Sequence, residues 1–176
     1  MKALAVLFFV FVTGCEKKPP ETVPVVTTVT ASDITKNSAV SGGEITSDGG
    51  SQVTARGVCW STDSNPSLDD NFTTDGAGTG TFTSNITGLN PGTAYYIRSY
   101  ATNAIGTSYG NELTFTTNPL SVGDEYQGGK IAYILKQGDP GYVAGEVHGF
   151  IAAPADLPDL YQWYNGSLVV TGATAT

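Results

Sequence analysis

Six clusters of turn-forming residues divide the stretch from Val23 to Thr117: Thr35-Lys36-Asn37-Ser38, Ser47-Asp48-Gly49-Gly50, Asp63-Ser64-Asn65-Pro66, Asp75-Gly76-Ala77-Gly78, Asn90-Pro91-Gly92 and Ala104-Ile105-Gly106. Gly supplies positive φ, Pro fixes φ, and Asn, Asp and Ser bond to nearby backbone, so each cluster interrupts regular structure. The runs between them are short and rich in Val, Thr, Tyr and Phe. Such side chains fit a pleated surface better than a helix. The candidate strands are Val25–Ala31, Ala39–Ile45, Thr54–Ser61, Gly80–Ile86, Ala94–Thr102 and Glu112–Thr117. Strands this short and closely spaced predict an all-β fold, an antiparallel β-sandwich over residues 23–117.

Composition narrows the function classes. The 176 residues carry 8 Lys+Arg against 16 Asp+Glu, a net charge of −8, with no basic cluster. Nucleic acid is therefore not an expected partner, because phosphate binding needs grouped Lys and Arg. One His and two Cys give no basis for a His/Cys metal site or a Cys/His catalytic pair. No cofactor, metal or catalytic residue is expected, and the chain is not read as an enzyme.

The first residues read MKALAVLFFVFVTGC. A Lys start, an apolar run from Ala3 to Val12 and a small-residue exit describe a secretory signal, since the run is too short to span a bilayer. Val12-Thr13-Gly14-Cys15 resembles the lipobox of bacterial lipoproteins. That resemblance implies cleavage after residue 14, acylation of Cys15 and a membrane partner held through lipid. Glu16, where an Asp would signal inner-membrane retention, implies outer-membrane or cell-surface placement, with the face of the membrane left open. Residues 15–22 then form a tether; with Pro19, Pro20 and Pro24 the stretch from Glu16 favours extended polyproline, reaching roughly 28 Å. With Cys15 lipidated, Cys59 has no disulfide partner.

Leu89-Asn90-Pro91-Gly92-Thr93-Ala94-Tyr95-Tyr96-Ile97-Arg98-Ser99-Tyr100-Ala101-Thr102-Asn103, followed by Gly106, resembles the fibronectin type III domain. Leu89, Pro91, Thr93, Tyr95, Ile97, Ala101, Asn103 and Gly106 fall in that family's register; Ser99 departs from it, being polar where an apolar residue is usual. Ala55–Ser61 and Gly110–Thr117 also resemble the variant found in bacterial surface lipoproteins. Independently of the resemblance, Tyr95 follows a tight turn, where its ring caps a core and its hydroxyl reaches back to backbone. Alternation puts Tyr95, Ile97, Ser99 and Ala101 on one face and Tyr96, Arg98 and Tyr100 on the other. Bulk favours burying Val58 with Trp60, which turns Cys59 to the opposite face; a buried Cys59 is the competing arrangement. Tyr96, Arg98 and Tyr100 are candidate ligand-binding residues, as Tyr and Arg are enriched at interface hot spots, against the alternative of a solvated or covered sheet face.

Other motifs carry less. Gly76–Gly80 lacks the flanking strand and helix of a phosphate-cradling loop and reads as a hairpin loop. Asp63, Asp69, Asp70 and Asn71 lack EF-hand spacing and read as a solvated acidic loop. His148, near Glu146, is the one candidate general base, and with no paired nucleophile it reads as structural.

Composition changes after Asn118-Pro119. Val122–Ile134, Gly138–Tyr142 and His148–Pro154 resemble the opening of a surface-lipoprotein domain related to the C-terminal domain of Lcl-type collagen-like adhesins. That resemblance implies a glycan or protein ligand at the cell surface; the later part of the family pattern is missing from residues 119–176. Trp163 and Tyr164 are candidate residues for stacking on sugars, against the equal alternative of core residues in a truncated unit. Gly129–Leu135 predicts a strand with Phe150–Ala153 as partner, a two-stranded unit that must lean on the sandwich or another chain. The functional expectation is a non-catalytic binding, adhesion or spacer module of the envelope, with an accessory subunit of a carbohydrate-processing system as the alternative.

Overall fold

The computed structural model describes residues 18–126, 129–144, 148–152, 161–164 and 167–169, and every regular element among them is a strand. Residues 25–116 form a sandwich of two antiparallel sheets. The first contains β1 (Val25–Ser32), β2 (Ser38–Ser47) and β5 (Gly80–Thr87) in the order β1-β2-β5. The second runs β4-β3-β6-β7, with β3 at Ala55–Ser61, β4 at Asn71–Phe72, β6 at Ala94–Thr102 and β7 at Thr107–Tyr109. A further strand, β8 (Leu113–Thr116), pairs with the first half of β6. Two facing sheets with these crossings make an immunoglobulin-like, fibronectin type III-like sandwich.

All six expected strands are present, but two details differ. Gly76–Gly80 is not a hairpin loop. Residues 73–78 run on beside β3, where Thr73 N–H donates to Val58 O and Asp75 N–H to Arg56 O, and the chain then crosses to β5 in the other sheet. The Arg56 guanidinium fixes that crossing by donating to the carbonyls of Asp75, Gly78 and Thr79. A short strand outside the expected six, β7, also follows β6, and the chain breaks at Gly110 before β8, which takes the place of the expected Glu112–Thr117. At Gly110 a Cβ would lie 2.5 Å from Thr28 Oγ1 and 2.8 Å from Thr28 N, so β1 packs against the break and only glycine fits there.

That break organises the interior. Ser99, wholly buried, donates its hydroxyl to Gly42 O at 2.6 Å and its N–H to Thr28 Oγ1 at 3.0 Å. Gly43 makes room, since a Cβ there would meet Ser99 Oγ at 2.7 Å. A polar bridge thus joins the sheets where apolar packing would be expected. The core divides into one cluster of Ala39, Val58, Ile86, Leu89, Tyr95, Ile97 and Phe115, and a second of Val26, Ile45, Val53 and Ala101; Phe82 touches both.

The chain enters and leaves the sandwich at opposite ends. Asn103, 5% exposed, donates from Nδ2 to Thr22 O and Asp48 O, while its Oδ1 accepts from Ile105 and Gly106 N–H. One side chain therefore joins the incoming segment, the β2–β3 loop and the β6–β7 hairpin. At the other end Asn90 N–H donates to the Tyr95 hydroxyl at 3.0 Å, as the tyrosine corner requires, and Tyr95 stacks on Phe115. There Asn118 N–H donates to Thr35 O, and Asn118 O accepts from Gly92 N–H.

Beyond it lies a five-stranded antiparallel sheet ordered β13-β12-β11-β10-β9, built from β9 (Glu125–Tyr126), β10 (Gly129–Ile134), β11 (His148–Ala152), β12 (Tyr161–Tyr164) and β13 (Ser167–Val169). The expected pairing of β10 with β11 is present, but the expected two-stranded unit is five-stranded. Ile131 is buried against Leu120, Tyr126 and Ile134. A register shift after Ile131 breaks the expected alternation and leaves Tyr133 exposed beside buried Leu135.

Candidate functional site

The register of β3 with β6 places Cys59 opposite Arg98, with Tyr96 and Tyr100 on the same outer face. Tyr100, expected in an exposed recognition patch, is 2% exposed. Its hydroxyl donates to Thr73 O at 2.7 Å and its ring meets Phe72 edge-on, because residues 71–78 fold beside β3 and cover it. Burial is the main cause of its raised pKa. Arg98 lies 4.8 Å over the Tyr109 ring and donates from Nε to Gly110 O, so its fork serves the β7–β8 break. Tyr96 is half-buried between Ser61 and Thr114 of the neighbouring strands. The three residues share a face but not an open surface.

Cys59 resolves the choice between the two arrangements by satisfying part of each. Val58 and half-buried Trp60 face the core, so Cys59 does point away from it, yet Cys59 is wholly buried. It sits between Arg98 on β6 and Phe72 on β4. Burial pushes its thiol up to about 12; Asp70 adds to the rise and Arg98 opposes it. A thiol so placed behaves as a small apolar residue.

The acidic loop is occupied with its own backbone: Asp70 Oδ2 accepts from Ser67 N–H, and Asn65 N–H donates to Glu112 Oε2. Asp75 accepts from the hydroxyls of Thr73 and Ser84, tying the edges of the two sheets together. Among the described residues no group of three or more His, Cys, Asp and Glu side chains is placed to hold a metal. His148 is buried in β11, and its carbonyl accepts from Leu135 N–H. Glu146 and Cys15 lie outside the described residues. Trp163 and Tyr164 lie on β12, paired with Gly149 and His148; their side chains also fall outside the description.

One concave feature was not anticipated. A cleft of about 530 Å³ opens where the sandwich meets β9, with Lys36, Asn90, Pro91, Leu120, Glu125 and Tyr126 among its walls. Lys36 on its wall pairs with Asp124, its ammonium 2.9 Å from Asp124 Oδ1. That ion pair, with Ser121 N–H on Oδ2, holds the Asp124 carboxyl below its ordinary range. The lining comes from three stretches distant in sequence. The local signals there, Thr35-Lys36-Asn37-Ser38, Asn90-Pro91-Gly92 and Asn118-Pro119, announce turns rather than a site.

No protein-family model matches the chain, and no curated protein matches it. Solved structures do. The sixth fibronectin type III domain of human fibronectin type III domain containing protein 3 is 21% identical, with 61% of this chain and 97% of that one covered and a TM-score of 0.46. A short form of the sensor domain of the anti-sigma factor RsgI4 from Pseudobacteroides cellulosolvens is 19% identical, covering 56% of this chain and 98% of that one, with a TM-score of 0.43. A computationally redesigned β-sandwich protein is 24% identical, at 57% and 98% coverage and a TM-score of 0.41.

Proposed function

We propose that the chain is a lipid-anchored, non-catalytic module of the bacterial cell envelope, in which the sandwich acts as a stalk and the segment beyond Asn118 meets a ligand. The observation that carries this reading is the placement of the two connections. Thr22 is held at one end of β6 by Asn103, and Asn118 at the other by Gly92. The nine residues of β6, at about 3.3 Å each, separate them by roughly 30 Å. A domain strung end to end sets distance, whereas one whose termini emerge together does not. Its side faces are consistent with this, since Arg98 and Tyr100 of the outer sheet face are spent on contacts within the domain. The ligand expected at the far end is a glycan or a protein, met by the cleft beside Lys36 and Tyr126 or by Trp163 and Tyr164 on β12. Attachment runs through acylated Cys15, with placement at the outer membrane or cell surface.

Detergent-phase partition of the full chain tests the anchor: Cys15→Ser should move it to the aqueous phase, and unchanged partition would defeat the lipoprotein reading. Glycan-array binding with a parallel assay for hydrolysis tests the rest. Binding without turnover supports a presenting module; turnover of a bound glycan would replace that reading with an enzymatic one.

A further inference from the structure

The open edges of the sandwich are not equivalent. β4 has two residues; β7 and β8 have three and four and are split at Gly110. β1 carries two register shifts, and its Thr28 N–H is taken by Asn111 Oδ1 at 3.1 Å. Short, broken or capped edges are how sheets avoid unwanted pairing. β5 has none of these protections. Gly80–Thr87 contains no charge and no proline, and it pairs with β2 through eight consecutive residues without a bulge. Thr81, Thr83, Asn85 and Thr87 are all exposed, and among the described residues its backbone bonds to nothing beyond β2.

We propose that β5 is an interaction surface for a second copy of this chain, which adds its own β5 antiparallel to form a six-stranded sheet β1-β2-β5-β5-β2-β1. Two observations select a second copy. First, β5 is complementary to itself. A two-fold axis through Thr83 or Ser84 sets residues of like parity opposite each other, so the outward Thr81, Thr83, Asn85 and Thr87 of both copies share one face. A slip of one residue would join the core face of one copy to the solvent face of the other. Thr–Thr and Thr–Asn pairs across the axis are of the kind that stabilises adjacent strands. Second, the chain carries a net charge of −8, so copies repel in general, yet charge is missing from the strand where like charges would meet most closely. Such an isologous contact closes at two copies. It also sets the two sandwiches pointing in opposite directions, so the pair fits copies held on two facing surfaces and not two stalks side by side on one membrane.

The test is site-specific cross-linking of the full chain carrying Cys15→Ser, in which Cys59 is buried. Thr83→Cys places two thiols directly opposite or one diagonal step apart across the axis, within reach of a short bis-maleimide. Cross-linked dimer should form at least tenfold faster than with Thr114→Cys, an exposed position on β8. Adding Asn85→Lys, or separately Thr81→Lys, should slow it at least tenfold with the circular dichroism spectrum unchanged. Sedimentation equilibrium should show a concentration-dependent dimer that either lysine weakens. Equal rates at positions 83 and 114, indifference to both lysines, or a monomer at every concentration would each overturn the proposal. None of these outcomes depends on whether the chain is lipid-anchored or binds a glycan.

Discussion

Replacing Ser99 by the valine that a fibronectin-like pattern would favour should destabilise the domain. The substitution removes the donor to Gly42 O and leaves that buried carbonyl without it, a loss of about 1–3 kcal/mol. Thr28 Oγ1 still receives the Ser99 N–H, so the backbone half of the bridge survives. Valine also adds bulk where Gly43 already approaches, since Ser99 Oγ lies only 2.7 Å from the place a Gly43 Cβ would occupy. Overpacking of that kind costs about 1–3 kcal/mol. Against these stands the burial of added hydrocarbon, worth about 0.8 kcal/mol per methylene-sized group. The net loss is therefore about 1–5 kcal/mol. Urea unfolding of the full chain, followed by circular dichroism, should show a lower midpoint with an unchanged slope. A Ser99→Val chain as stable as the parent would mean that the bridge is incidental and that the two core clusters can merge.

Tyr95→Phe should cost about 1 kcal/mol in the same assay, the usual net value of one hydrogen bond, because only the contact from Asn90 N–H is lost while stacking on Phe115 remains. A loss near zero would show that the corner bond does not contribute. Cys59 should label slowly with a maleimide in the folded chain. As its pKa is raised to about 12, the thiolate fraction and the labelling rate should keep climbing tenfold per pH unit through pH 10, where an ordinary thiol levels off; an early plateau would refute the burial argument. Asp124→Asn should increase protease cleavage between residues 119 and 152 without altering the sandwich, by breaking the pair with Lys36. Since the folded carboxyl titrates lower than the unfolded one, the contact is complete at neutral pH and is lost as pH falls through the depressed value. Salt should loosen it as well, and insensitivity to both salt and acid would remove the ion pair from the account.

What could be read from the residues alone was the local part. Leu89, Pro91, Thr93 and Tyr95 announce a turn followed by a capping ring, because the spacing itself fixes which side chain meets which backbone. Alternation along β6 gave the correct faces for Tyr95 to Ala101. It could not tell whether the second face was wet, since that depends on residues 71–78 lying beside β3, a contact made by Thr73 and Tyr100 across 27 positions. Ser99 stood out as a misfit, but its partners Gly42 and Thr28 are 57 and 71 positions away. Likewise the cleft beside Lys36 exists only once Asn118 has brought the C-terminal sheet, through β9, against the sandwich. Non-local polar contacts carry no periodicity, and these were the ones that sequence reading missed.

The two connections at opposite ends have a mechanical meaning. Tension applied between Thr22 and Asn118 runs along the strands, and antiparallel hydrogen bonds lie across that direction. β1 and β8, the first and last strands of the sandwich, are then loaded in shear, so the bonds of a ladder must fail together instead of opening one by one as in a zipper. Thr28 and Asn111 join these two regions directly, and Ser99 fastens Thr28 to the middle of β6. The polar bridge that interrupts the core is therefore also a cross-brace, set where the pulling line crosses from one sheet to the other.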